Sequence, residues 1–96
     1  MTDTRRHYAA LVAAIGEALY GTTWVEHLSR NLGVAKRSVE RVKAAAAAGE
    51  DYPAAKGYLD GLTRLIAERV WGLTALQTEL ASAIEIRARE KAARDA

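Results

Sequence analysis

The chain contains no cysteine and only one proline and two histidines among its 96 residues. The absence of cysteine excludes a disulfide framework, a thiolate metal site and a cysteine nucleophile. His7 and His27 are too few and too far apart in the sequence to indicate a metal site. No nucleophile, base and orienting acid form a recognisable set, and no glycine-rich phosphate loop is present. The sequence therefore predicts no enzymatic activity, no metal and no cofactor.

Long apolar runs are also missing. Half of the residues are hydrophobic, but no run approaches the roughly 18 apolar residues that a membrane span needs. The amino end lacks the layout of a cleavable signal peptide. A chain of this length can build one modest core. We expect a cytoplasmic protein with no membrane partner.

Positive charge is concentrated in one segment. The formal net charge is only +2. The segment from Arg30 to Lys43, however, has five basic side chains against Glu40 alone, whereas the rest of the chain has 9 basic and 11 acidic residues. A local basic stripe on a helix is typical of a phosphate-binding surface, and the alternative is a charged helix face that contacts only solvent.

Apolar residues at spacings of three and four predict a first helix from about Asp3 or Thr4 to Leu19. Gly21 is expected to end it in the left-handed conformation. Thr23 and Glu26 have the spacing of a reciprocal capping box, which predicts a second helix beginning at Trp24. The apolar face of the first helix consists of Tyr8, Leu11, Val12, Ile15 and Leu19.

A tight turn and a third helix follow. Gly33 stands where a turn requires positive φ. The alanine tract beyond Lys43 favours helix and continues the third helix to Gly49. The residues expected to face the core in this segment are Leu28, Leu32, Val34, Val39, Val42 and Ala46.

The remainder of the chain is predicted to be one long helix. Pro53 suits the first position of that helix, and Gly72 offers the alternative of a break into two antiparallel helices. We therefore expect two segments, a domain over residues 1–50 and a helical dimerisation segment over residues 51–96. Trp24 and Trp71 are expected in the core or at an interface. A heptad-like stripe is expected to pair two copies of the chain, and it consists of Leu59, Leu62, Ile66, Val70, Leu73, Leu76, Leu80 and Ile84.

The segment VEHLSRNLGVAKRSVERV, which begins at Val25, resembles the helix-turn-helix of small bacterial and phage regulators of the Cro and repressor type. Ser29 occupies the small-residue position where the two helices cross, and Gly33 occupies the turn. Two residues depart from the family pattern. Ser29 replaces the usual alanine, and we expect its hydroxyl to bond back to the preceding turn. Ala35 stands where Ser or Thr often caps the second helix. The five matching apolar positions are Leu28, Leu32, Val34, Val39 and Val42.

The resemblance implies that the second helix of the motif, which is the third predicted helix of the chain and covers residues 35–48, lies in the major groove of double-stranded DNA. Arg37 and Arg41 would then contact base edges, with Ser38 reaching a base or a phosphate. Glu40 would either accept a hydrogen bond from cytosine or hold a neighbouring cation, and we favour the second alternative. The side chains expected at phosphates are Arg30, Lys36, Lys43, Thr22 and Thr23.

These expectations describe an all-α protein in which a helix-turn-helix domain precedes a long C-terminal helix, or two helices, used for dimerisation. Its expected function is that of a homodimeric, sequence-specific transcriptional regulator, a repressor that binds a palindromic operator. The alternative is a protein-interaction module, such as an antitoxin or a phage-encoded inhibitor, whose partner is another protein.

Overall fold

The computed structural model describes residues 7–95, and over this range the chain is helical and contains no β-strand. The α-helices are α1 (Tyr8–Tyr20), α2 (Trp24–Leu32), α3 (Lys36–Ala48) and α4 (Leu59–Asp95). Two 3₁₀ segments, Gly21–Thr23 and Pro53–Tyr58, precede α2 and α4. The all-α class and the long C-terminal helix are thus confirmed. The chain divides into two compact units, Met1–Ile66 and Ala67–Ala96.

The core of the first unit is built where α1, α2 and α3 turn their apolar faces together. Val12, Leu28, Val39 and Val42 are fully buried, as their spacing predicts. The core also includes side chains that follow the expected boundary at residue 50. For that reason the first compact unit extends to Ile66. These later core residues are Ala55, Leu62 and Leu65.

Trp24 is the largest fully buried side chain and lies against Gly16 of α1. A Cβ atom placed on Gly16 would lie 2.8 Å from the indole Cδ2 atom, closer than real contacts allow. Glycine inside a helix costs about 0.5–1 kcal/mol relative to alanine. Here that cost is offset because the missing side chain makes room for the indole ring. The expectation of Trp24 as a core residue is confirmed.

The beginnings of the first two helices differ from the sequence-based expectations. The helix α1 begins at Tyr8, after His7 in extended conformation, whereas the expected start at Asp3 or Thr4 lies outside the described residues. The capping box is wrong, since the Thr23 side chain makes no cap hydrogen bond. An N-cap residue needs extended backbone, but Thr23, with φ −97° and ψ 25°, continues the 3₁₀ turn into α2.

The start of α4 is held by α2 within the first unit. Arg64 Nη2 donates a hydrogen bond to the carbonyl oxygen of Asn31 at 3.1 Å, at the end of α2 where carbonyl groups lack helical partners. Gly61 lies under Leu32, where a Cβ atom would meet the leucine Cδ2. Leu62 is 1% exposed. The first two turns of α4 therefore belong to the core of the first unit.

Two expectations about α4 need correction. Pro53 begins the 3₁₀ segment, and the α-helix itself begins only at Leu59. The helix is continuous through Gly72, so the alternative of two antiparallel helices is wrong. A single glycine costs a helix only about 1 kcal/mol, and strong helix formers such as Leu73 and Ala75 follow it closely.

The residues of the expected dimerisation stripe differ in burial. Leu62 is buried and Leu59 is half-buried, both against residues of the same unit. The assignment of Leu62 to a dimer interface is therefore corrected, because a side chain covered by its own core is not available to a partner. The stripe residues that are exposed are Ile66, Val70, Leu73, Leu76, Leu80 and Ile84.

The second unit is a single helical segment, the part of α4 from Ala67 onward. Every residue from Ala67 to Asp95 is exposed. The sequence predicts Trp71 either in the core or at an interface. It is 77% exposed, which excludes the core. Across residues 7–95, no helix combines the length and apolarity that crossing a membrane requires.

Candidate nucleic-acid interface

The turn between α2 and α3 fixes the orientation of these two helices relative to each other. Gly33 has φ 68° and ψ 33°, the left-handed conformation predicted from the sequence. Its N–H donates to the Arg30 carbonyl at 3.3 Å, and the N–H of Val34 donates to the Ser29 carbonyl at 3.0 Å. This pair of bonds is the Schellman motif, which satisfies the last carbonyls of a helix. The turn is therefore defined by backbone bonds as well as by glycine.

Ser29 adds a side-chain bond to the same turn. Its Oγ donates to the carbonyl oxygen of Val34 at 2.7 Å. The expected bond back to the preceding turn of α2 is therefore wrong. The reversal of the chain at Gly33 brings the Val34 carbonyl within reach, and the residue that departs from the alanine of the family pattern holds both sides of the turn together.

The amino end of α3 is uncapped, as the sequence predicts. Ala35 is its N-cap residue, with φ −64° and ψ 136°, and provides no side-chain hydrogen bond. The first turn contains Lys36 and Arg37 and no acidic residue. Free N–H groups and the helix dipole make a helix amino end favourable for anions. Two cations placed there strengthen the attraction of this end for a phosphate group.

The outward face of α3 presents the two arginines expected at bases. Val39 and Val42 are fully buried, so the opposite face of the helix is directed to solvent. Arg37 and Arg41 are both exposed, and their spacing of four residues places them one above the other. Among residues 7–95, neither guanidinium makes a hydrogen bond or an ion pair. Both are thus available to a ligand. Ala44 and Ala48 on this face are also exposed, as expected.

The ion pairing around Glu40 differs from the favoured expectation. Lys36 Nζ lies 3.2 Å from Glu26 Oε1 of α2. Within the described part of the chain, Glu40 itself makes no hydrogen bond or ion pair. The Lys36 and Glu26 side chains are 53% and 61% exposed, and exposed pairs of this kind contribute about 0–1 kcal/mol. A phosphate group can therefore compete with Glu26 for this lysine.

An open hollow of about 240 Å³ brings five of the predicted site residues together. Arg30, Arg37 and Arg41 lie outside this hollow and are exposed, while Ser38 is half-buried at the edge of α3. Val25 and Glu26 are the two lining residues that were not predicted as part of the site from the sequence. The hollow is lined by Thr22, Thr23, Val25, Glu26, Lys36, Glu40 and Lys43.

This surface combines exposed cations and hydroxyls with the guanidinium groups of Arg37 and Arg41, which have no hydrogen-bond or ion-pair partner within the described residues. No model of a known protein family, no curated protein and no solved structure matches the chain. The cations and hydroxyls around the hollow suit phosphate oxygens. Arg37 and Arg41 offer planar, bidentate donors, which suit guanine as well as phosphate.

Proposed function

We propose that this chain is a sequence-specific regulator of transcription, a homodimeric repressor that inserts α3 into the major groove of double-stranded DNA. The observation that supports this most is the pair of exposed guanidinium groups of Arg37 and Arg41 on one face of a helix, which have no hydrogen-bond or ion-pair partner among residues 7–95. That helix is anchored by Val39 and Val42 in a core and follows a hydrogen-bonded turn. A helix that packs on a core and carries exposed arginines on its outer face is a suitable element for reading base edges.

The polar side chains of this surface have distinct roles in the proposed complex with DNA. Arg37 and Arg41 contact guanine edges. Glu40 accepts a hydrogen bond from a cytosine amino group, an alternative favoured by its lack of an ion-pair partner among the described residues. Ser38 contacts a base or a phosphate from the helix edge. Phosphate contacts fix the position of the domain, and they come from Arg30, Lys36, Lys43, Thr22 and Thr23.

The homodimer is supported by apolar side chains of the second unit. Val70, Leu73, Leu76, Leu80 and Ile84 are between 48% and 60% exposed. A continuous apolar stripe of this kind on a helix indicates an interaction surface. A symmetric dimer would bind a palindromic operator whose half-sites are about 34 Å apart, or a multiple of that distance. Such a regulator would act in the cytoplasm, where it meets its DNA.

The test is a titration of the protein against the DNA upstream of its own reading frame and against scrambled DNA of the same length, at two salt concentrations. We expect a preference of about 10³ or more for the first fragment, and weaker binding at the higher salt concentration. Absence of binding to any duplex, even at low salt, would contradict the proposal.

A matched pair of variants assigns the binding to α3. Arg37→Ala with Arg41→Ala removes two charges from the proposed groove-reading face. Arg89→Ala with Arg94→Ala removes the same two charges from the second unit. We expect the first double variant to lose specific binding and the second to retain it. Equal losses would show that only net charge matters.

A protein-interaction module remains the alternative, and Trp71 is the observation that favours it. This indole is 77% exposed, and exposed tryptophans are enriched at the energetic centres of protein interfaces. An antitoxin or an inhibitor would dock its protein partner on such a residue. In that case the change of Arg37 and Arg41 would leave function intact, whereas Trp71→Ala would abolish partner binding.

A further inference from the structure

Four apolar residues and one glutamine of the second unit follow a regular pattern of spacing. Val70, Leu73, Gln77, Leu80 and Ile84 are separated alternately by three and four residues. Their average spacing of 3.5 residues is that of a coiled-coil stripe, and the exposed Leu76 lies beside this stripe. These five residues are called the seam below. All five are exposed in the single chain.

We propose that the seam pairs with the seam of a second copy of this chain as a parallel, two-stranded coiled coil in which Gln77 faces Gln77 of that copy. Val70, Gln77 and Ile84 then occupy the a positions, and Leu73 and Leu80 the d positions. This assignment rests on the homodimer of the proposed function and specifies its register and direction. Leu59 and Leu62 are left out because they pack in the first unit.

The residue types favour two strands in parallel. In parallel coiled coils, β-branched residues at a with leucine at d favour the dimer over trimers and tetramers. Val70 and Ile84 are β-branched, and both d positions are leucine. Each layer of such a dimer brings identical residues together, so that the same short stripe on both copies is self-complementary. A second copy is therefore an occupant that the sequence of the seam itself specifies.

Gln77 determines the direction of pairing. A glutamine amide has both donors and an acceptor, so two such side chains can hydrogen-bond to each other. In a parallel dimer an a position faces the same a position, and the two amides meet. In an antiparallel pair an a position faces a d position, and Gln77 would lie against leucine without a partner. A polar group in such an apolar layer loses its hydrogen bonds to water without compensation.

The seam ends where basic residues replace apolar residues at the a and d positions. The next d and a positions after Ile84 are Arg87 and Lys91. Each would face the same cation of the second copy, which is unfavourable for pairing. The seam is thus about two heptads long, and we expect a dimer that dissociates on dilution. Pairing in parallel joins both copies of the DNA-binding unit to the same end of the coiled coil, as reading two adjacent half-sites requires.

Engineered cysteines test the direction, because the chain has no cysteine of its own. Leu73→Cys and Leu80→Cys are oxidised separately, with Ser82→Cys, which lies outside the seam, as the control. In a parallel, in-register dimer both seam variants form disulfide-linked dimers and the control does not. In an antiparallel dimer the two-fold axis crosses the helices at one point, so only a residue near that point can meet the same residue of the second copy. Cysteines at residues 73 and 80 could therefore not both form disulfide-linked dimers. Linking of only one position would overturn the proposed direction.

A leucine-to-cysteine change could itself weaken the dimer, so a second measurement avoids the seam. Spin labels are attached at the exposed positions Ala75, Thr78 and Ser82, all within the length of the seam, in three single-cysteine variants. A parallel pair gives nearly equal distances between the two labels at all three positions. An antiparallel pair gives distances that differ among them, because moving four residues from its centre separates the labels by about 12 Å along the axis.

Sedimentation of the unaltered chain and DNA titration separate this inference from the proposed function. A monomer at all concentrations, or a trimer, would overturn the coiled coil. A dimer with unequal label distances would overturn only its direction and leave the homodimer in place. Cross-linking at both seam positions with no DNA binding would support the coiled coil while contradicting the regulator. We expect a concentration-dependent dimer, cross-links at residues 73 and 80, and nearly equal label distances.

Discussion

The hydroxyl of Ser29 donates to the carbonyl oxygen of Val34 at 2.7 Å and so connects α2 to the far side of the turn that precedes α3. Both residues are half-buried, so water replaces this bond only in part. The position of α3 relative to α2 therefore depends on a side-chain contact as well as on the left-handed Gly33. This contact lies next to the surface on which the proposed function depends.

Ser29→Ala should destabilise the first unit by about 1 kcal/mol, since it leaves the Val34 carbonyl without its side-chain donor. The free energy of unfolding is measured by urea titration. The control is Ser82→Ala, at an exposed position of the second unit, which should change stability little. If both variants unfold at the same urea concentration, the bond contributes nothing to stability.

Replacement of glycine by alanine should have opposite effects at two positions. At Gly33 the backbone φ is +68°, and a residue with Cβ in this conformation costs about 1–2 kcal/mol. At Gly72, inside α4, a Cβ would meet no atom within 4 Å, and alanine should stabilise the helix by about 0.5–1 kcal/mol. Unfolding is followed by circular dichroism. Stabilisation by Gly33→Ala would contradict the turn geometry described above.

Gly16→Ala should damage the core, because its Cβ would overlap the indole of Trp24. Overpacking of this kind costs about 1–3 kcal/mol. The expected loss exceeds any gain in helix propensity. Gly57→Ala is the comparison, since its Cβ would meet nothing within 4 Å. The two variants are compared by thermal unfolding, and equal midpoints would show that the indole can move away without cost.

The helices and the turn could be predicted from the sequence because they depend on neighbours. Val39 and Val42 are placed inward by helical spacing alone, and Gly33 has few alternatives in a sharp turn. The ion pair between Lys36 and Glu26 could not be predicted in this way. These residues are ten positions apart, and only the folded turn brings them together.

The heptad pattern of α4 was ambiguous for a different physical reason. Leu62 and Leu73 fit the same apolar periodicity, but this spacing predicts only that each side chain is buried against something. It does not report whether the chain's own core or another molecule provides that cover. The structure distinguishes them, since Leu62 is 1% exposed and Leu73 is 56% exposed.

Glu26→Gln should strengthen DNA binding. The carboxylate of Glu26 is bonded to Lys36 at 3.2 Å and lies in the hollow that also contains Thr23 and Lys43. Phosphate groups that enter this hollow meet a negative charge and must compete for the lysine. Neutral glutamine removes both obstacles while keeping the shape of the side chain. We expect affinity to rise several-fold for specific and nonspecific duplexes alike, since phosphate contacts carry no sequence information.

Glu85→Gln is the matched control for this prediction. It makes the same change of charge and also breaks an exposed ion pair, that of Glu85 with Arg89 at 2.8 Å in the second unit. Fluorescence anisotropy at several salt concentrations compares the two variants, with Lys36→Ala as a third, which should weaken binding and lower the salt slope by about 1. A gain in affinity for Glu26→Gln alone indicates that the hollow contacts phosphate. Equal gains for both glutamine variants would mean that net charge accounts for the effect, and the hollow would then lose its assigned role.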